Sequence, residues 1–137
     1  MKRKKDTVPI SYRIDVERNL VLAVGSGILT DDDLLDFRKR LVNDPAFRPD
    51  MRELSDFRSV EKHVHTTEGL NRFLEQENMY ADRLGEYRIA IVTGSDLHFG
   101  FSRMYIAGVA DTLPEVQVFR NIDEAEAWLF TATNETT

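Results

Sequence analysis

Three short stretches of the chain hold side chains whose types and spacing could do chemistry. His63 and His65 flank Val64, with Glu61 and Glu68 close by. Imidazoles so spaced can bind zinc when a third ligand arrives from elsewhere, but an HxH pair falls short of a site and His98 is the only other histidine. Solvated loop histidines are the simpler reading, and no metal is expected. Gly94-Ser95-Asp96 is the anion-binding candidate, because it precedes a helix start where free backbone amides can hold a phosphate or carboxylate. No P-loop lysine or dinucleotide glycine spacing accompanies it, and a turn capped by Asp96 explains the same residues. Neither Ser26 nor Ser95 lies in a G-x-S-x-G elbow, and no pair of carboxylates forms a recognisable acid/base couple. The chain has no cysteine, which removes disulfides, thiolate catalysis and cysteine-ligated zinc. The expectation is a non-enzymatic protein without a cofactor.

Apolar side chains supply the fourth candidate. In the helix expected from Asp96 to about Asp111, Leu97, Phe101, Met104, Tyr105 and Gly108 share one face, while Phe99 and Ile106 lie well off it. That is more apolar area than a one-sided helix needs. Packing between the sheet and the last helix would cover it, as would a homodimer contact or the wall of an apolar pocket. Phe99, Phe101, Met104 and Tyr105 are the ligand-binding candidates, with Thr66 and Thr67 opposite as helix-start hydrogen-bond donors.

The elements that must position these residues follow from periodicity. Ile10, Tyr12, Ile14 and Val16 alternate with polar residues, a strand wet on one face. Leu20 to Val24 is wholly apolar and reads as the deeper strand of a hairpin, ended by Gly25 and Gly27. Thr30 with Asp33 marks the start of a helix buried through Leu34, Phe37 and Leu41 and closed by Asn43-Asp44-Pro45. Met51 to Phe57 is a third strand, Arg58 to His65 a polar connection, and Thr66-Thr67-Glu68 the start of a helix facing inward through Leu70, Phe73, Leu74 and Tyr80. Arg88 to Thr93 is a fourth strand, short and β-branched enough to be covered on both faces. Val116 to Phe119 makes a fifth, and a last helix carries an Asp123–Glu126 capping pair with Ala125, Trp128 and Leu129 inward. The fold class is therefore α/β: a mixed sheet of about five strands with an antiparallel N-terminal hairpin, then αβ crossovers and about four helices.

Length and charge bound the rest. At 137 residues, one domain over 8–130 is expected, with a disordered basic tail over 1–7 and a frayed end over 131–137. Eighteen basic and 24 acidic residues give a formal charge of −6, so no nucleic-acid partner is expected. Met1-Lys2-Arg3-Lys4-Lys5 concentrates cations that could touch a membrane surface, but Asp6, Thr7 and Pro9 follow where a secretory signal would be apolar. No stretch approaches the roughly 20 apolar residues of a membrane span. A cytoplasmic location is expected.

Order and spacing of several weak motifs resemble the STAS, or SpoIIAA-like (STAS/Sec14-like), small bacterial domains over about Val8 to Phe130. The supporting residues are Gly27 with Leu29-Thr30, Leu54 with Asp56-Phe57, Asp96-Leu97 with Gly100 and Arg103-Met104, and Val118-Phe119 with Asp123, Ala125 and Trp128-Leu129. The resemblance implies a regulatory or binding module that holds a small apolar or amphipathic ligand or docks on a protein partner. It also implies an alternative, an anti-sigma-factor-antagonist-like switch phosphorylated on Thr66 or Thr67, since Thr66-Thr67-Glu68-Gly69-Leu70 stands where antagonists carry an Asp-Ser-Ser-Gly-Leu-like motif. Here His65 replaces the aspartate and Glu68 is interposed before Gly69.

Overall fold

The computed structural model of the protein describes residues 8–96 and 115–131. Its strands are β1 (Ile10–Asp15), β2 (Leu20–Thr30), β3 (Arg52–Val64), β4 (Arg88–Thr93) and β5 (Glu115–Phe119). Its helices are α1 (Asp31–Val42), α2 (Thr67–Met79), α3 (Ala81–Leu84) and α4 (Ile122–Leu129). The strands form one sheet in the order β1-β2-β3-β4-β5, antiparallel at β1–β2 and parallel thereafter. This is the mixed sheet that the periodicity predicts. Among the described residues no helix is long and apolar enough to cross a membrane.

The sheet is covered on both faces because its central strands are apolar on both. All of β4 is buried, with Ile89 and Ile91 facing one core and Ala90 and Val92 the other. The first core includes Phe37 and Leu41 of α1 and Phe73 of α2, and the second Ala125 and Leu129 of α4. Thr30 accepts a hydrogen bond from the Asp33 amide while the Asp33 carboxylate accepts one from the Thr30 amide, so the expected capping box at α1 is present. At α4 the cap is different. Asn121, not Asp123, accepts from the backbone at the third residue of the helix, the Glu124 amide, 3.0 Å away.

Two boundaries differ from the sequence reading, for one reason. Gly25 and Gly27 do not end β2, and Arg58 to His65 is not a loop: β2 runs on to Thr30, and β3 pairs with it as far as Val64. A Cβ on Gly25 would lie 2.7 Å from the Phe57 ring, so this glycine admits a side chain from the next strand. Gly27 has φ +71° between two register shifts, where a bulge bends the ribbon. These bulges leave Phe57, Val60 and His63 inward at a spacing of three, which hides the strand period in the sequence. The extended ribbon carries His63 and His65 to the starts of α1 and α2.

Candidate functional site

Between the sheet and the α1/α2 layer lies a cavity of about 60 Å³. Its walls are mostly apolar, including Leu29, Leu34, Phe37, Phe57, Phe73 and Ile89. Polar residues meet it in two groups. Arg38, Glu53 and Ser55 form one, His63 and His65 the other. Asp31, which binds His65, precedes Arg38 by seven residues on α1, so two helical turns, about 10 Å, separate the two groups.

The first group is a buried ionic cluster. Arg38, with 3% of its side chain exposed, donates from Nε to the Glu77 carboxylate at 3.0 and 3.3 Å and from Nη1 to Glu53 Oε1 at 2.9 Å. Glu53 also accepts from the Tyr87 hydroxyl at 2.8 Å and from Ser55 Oγ at 2.6 Å. Three donors thus converge on Glu53, which sits in the middle of the sheet between Val21 and Ile89. Among the described residues Glu77 receives only Arg38, and burial pushes its carboxyl above the ordinary value of 4.5 despite the guanidinium, which pulls the other way. Burial, reinforced by Glu53, likewise raises the Tyr87 hydroxyl well above 10.0. Two carboxylates around one guanidinium leave excess negative charge in a dry site, which works in the same direction as burial on Glu77. The guanidinium also lies 5.5 and 5.3 Å from the Phe37 and Tyr87 ring centres.

The second group joins two helix starts. His63 Nδ1 lies 3.2 Å from His65 Nε2, and His65 Nδ1 lies 3.1 Å from Asp31 Oδ1. With Asp31 ionised, the neutral tautomers that fit place both protons on Nδ1, each donated toward the carboxylate end. Burial lowers the His65 pKa below 6.5, and Asp31 opposes that effect. Asp31 accepts in addition from the Thr66 amide at 3.1 Å and from Thr66 Oγ1 at 2.8 Å. Thr66 Oγ1 in turn accepts from the Gly69 amide at 2.9 Å, capping α2. A Cβ on Gly69 would collide with the Asp31 carboxylate, so glycine is required there by the neighbouring helix rather than by its own backbone.

The chain matches no family model and no curated protein. Among solved structures it is similar to the crystal structure of an uncharacterized DUF3478-family protein with a SpoIIAA-like fold from Shewanella loihica PV-4. The two share 18% sequence identity, with 88% of this chain and 93% of that chain covered at a TM-score of 0.58. The fold is SpoIIAA-like. The sequence resemblance therefore holds at the level of architecture.

Within this SpoIIAA-like architecture the sequence-derived candidates fall in different places. Thr66 and Thr67 lie at the α2 N-terminus as expected, both exposed, with the Thr66 hydroxyl committed to Asp31 and Gly69. The negative charge that a phosphate would bring to this helix start is already supplied by Asp31 from α1. Gly94 packs closely on β3, since a Cβ there would lie 2.8 Å from the Arg58 carbonyl oxygen. The exposed Asp96 carboxylate forms an ion pair with Arg120. Phe99, Phe101, Met104, Tyr105 and His98 lie outside the described residues. His63 and His65 come together, yet no group of three His, Cys, Asp or Glu among the described residues could hold a metal.

Sequence reasoning missed Asp31, Arg38, Glu53 and Glu77. Asp31 reads correctly as an acidic first-turn residue, but its partner is the other helix. Arg38 follows Leu34 by four and Glu77 follows Phe73 by four, so both occupy inward stripes. A charge on an apolar stripe was the available signal.

Proposed function

We propose that this chain is a non-enzymatic binding module of STAS type that holds a small apolar or amphipathic ligand between the sheet and the α1/α2 layer. The observation that carries the reading is an apolar cavity with a buried guanidinium–carboxylate cluster on its wall, a few polar groups set in apolar surroundings as ligand sites are built. A purely structural core would be served as well by apolar residues of the same volume, because burying charge costs more than it returns unless every group is paired. The ligand-binding candidates Phe99, Phe101, Met104 and Tyr105 belong to the same hypothesis as further contacts.

Ligand-observed saturation-transfer NMR on the full chain with a mixture of benzene, cyclohexanol and 1-butanol tests the reading. Transfer is expected, and it should disappear in Leu34→Phe, which fills the cavity, provided that the variant keeps a cooperative thermal transition. Absence of transfer, or transfer unchanged in a folded Leu34→Phe, overturns it. The alternative is a phosphorylation switch, for which exposed Thr67 is better suited than committed Thr66. Phosphate on Thr67 in the intact mass of protein from its own host would favour that alternative.

A further inference from the structure

The face of the sheet opposite the cavity is partly bare. Tyr12 and Ile14 pack against the first core, so the alternation of β1 turns Ser11 and Arg13 to the other side, where Leu22 of β2 packs against the second core. In the ladder Ser11 stands opposite Val24 and Arg13 opposite Leu22, and side chains so paired have Cβ atoms about 4.5–5.5 Å apart. One strand further in, Leu54 stands beside Leu22 and Asp56 beside Val24. Among the described residues the helix on this face is α4, which packs on β3, β4 and β5. A helix is about 10 Å wide and strands lie about 4.8 Å apart, so α4 does not also cover β1 and β2. An open groove of about 330 Å³ remains between Arg13 and Ile122, the first residue of α4, lined also by Leu22, Val24 and Leu54. That volume falls in the range of small-molecule sites, about 300–1,000 Å³. Val24 is 48% exposed there, an apolar side chain that nothing in the described fold covers.

Charge sets what this groove can hold. Asp56 spends both carboxylate oxygens on Arg58, Oδ1 at 2.8 Å from Nε and Oδ2 at 2.7 Å from Nη2. Asp15, the next residue on this face of β1, accepts from the Arg18 amide at 3.2 Å. Arg13 is exposed and makes no ion pair or side-chain hydrogen bond among the described residues. The groove is thus an apolar strip with one uncommitted cation at its side. We propose that it binds an amphipathic anion, the head group on the Arg13 guanidinium and the apolar body along Leu22, Val24 and Leu54 toward Ile122. A guanidinium offers paired N–H donors that match a carboxylate, whereas an ammonium would meet Arg13 as a like charge and find Asp56 already neutralised. The sheet itself separates this site from the cavity, so the two are independent.

Amide chemical-shift titrations of the full chain with octanoate, 1-octanol and octylammonium, each below its micelle concentration, test this. Octanoate should move the amides of Leu22, Val24, Leu54 and Ile122 and bind about two- to fivefold more tightly than 1-octanol, the scale of a solvent-exposed ion pair, with octylammonium weakest. Arg13→Gln, which breaks no polar contact among the described residues, should abolish the preference for octanoate over 1-octanol. Val24→Glu, which sets an anion on the apolar strip, should weaken octanoate at least about fivefold. Octanoate that leaves those four amides unmoved, or a preference that survives in Arg13→Gln, overturns the proposal. Shifts confined to Leu34 and Phe73 would put octanoate in the cavity and overturn it as well, while the cavity reading stands or falls separately, on Leu34→Phe.

Discussion

Two arginines are buried on opposite faces of the same sheet, and their surroundings differ in kind. Arg88, at the start of β4, is 4% exposed and lies against the end of α4. Its Nη1 donates to the Trp128 carbonyl at 2.8 Å and to Thr131 Oγ1 at 3.1 Å, and its guanidinium stacks 4.8 Å from the Trp128 ring centre. Arg52 of β3 adds a bond to the Leu129 carbonyl at 2.9 Å. These are the carbonyls that a helix leaves unpaired at its C-terminus, where the helix dipole also favours a cation. The one carboxylate that Arg88 meets among the described residues, Glu115, is 46% exposed and keeps its water. Arg38 meets two buried carboxylates and a cavity. One face uses a guanidinium to fasten a helix end; the other assembles more charge than fastening requires.

The largest effect that would break this contrast is a reversal of the two deletions. Arg38→Met should cost about 3–5 kcal/mol, because it strands buried carboxylates. Arg88→Met should cost less, about 1.5–3 kcal/mol, because carbonyls and a half-exposed carboxylate remain. Urea denaturation of both variants measures the order.

The pH dependence sharpens it. The unfolded chain releases the Glu77 proton near 4.5 while the folded protein holds it to higher pH, so the contribution of this group to stability is fullest below 4.5 and is lost as pH rises through the elevated folded value. Denaturation midpoints across this window should decline with pH in the parent protein and in Arg88→Met, and the decline should shrink in Glu77→Gln. An equal decline in all three would remove Glu77 as its source.

A smaller effect tests the other end of the α1/α2 layer. Gly69→Ala should destabilise by about 1–2 kcal/mol through the Asp31 carboxylate, although alanine is the better helix former by about 1 kcal/mol. In an Asp31→Ala background the same change should become neutral or favourable, and a double-mutant cycle reads that coupling. Smallest are the two threonines. Thr66→Ala should cost about 1 kcal/mol as a lost cap and Thr67→Ala less than about 0.5 kcal/mol in thermal unfolding.

Element order was legible wherever one physical cause dominated. The β-branched run Ile89-Ala90-Ile91-Val92 could be little other than a central strand, and Thr30 with Asp33 satisfies amides three residues away whatever the tertiary fold. The C-terminal half of β3 was not legible, because two bulges break its alternation and its pairing residues lie some thirty positions earlier in β2, as in Leu29 with His63. The polar wall was hidden for a related reason. Periodicity places positions 38 and 77 inward, but the charged side chains there read as wet until the fold brings them to each other and to Glu53. Asp123 gave way to Asn121 because Asn121 is the last residue before the helix, where an extended backbone aims the side chain at the free amides.

The strand order has a consequence for synthesis. Each strand of the sheet is laid beside the one that left the ribosome before it, and none must be inserted between two already paired. Arg38, Glu53, Ser55 and Glu77 all precede Tyr87, the last member of their cluster, so every charge that must be neutralised has emerged before β4 arrives to close that side of the sheet. The growing chain thus never has to hold half of this ion cluster beneath a finished sheet while awaiting its counterions.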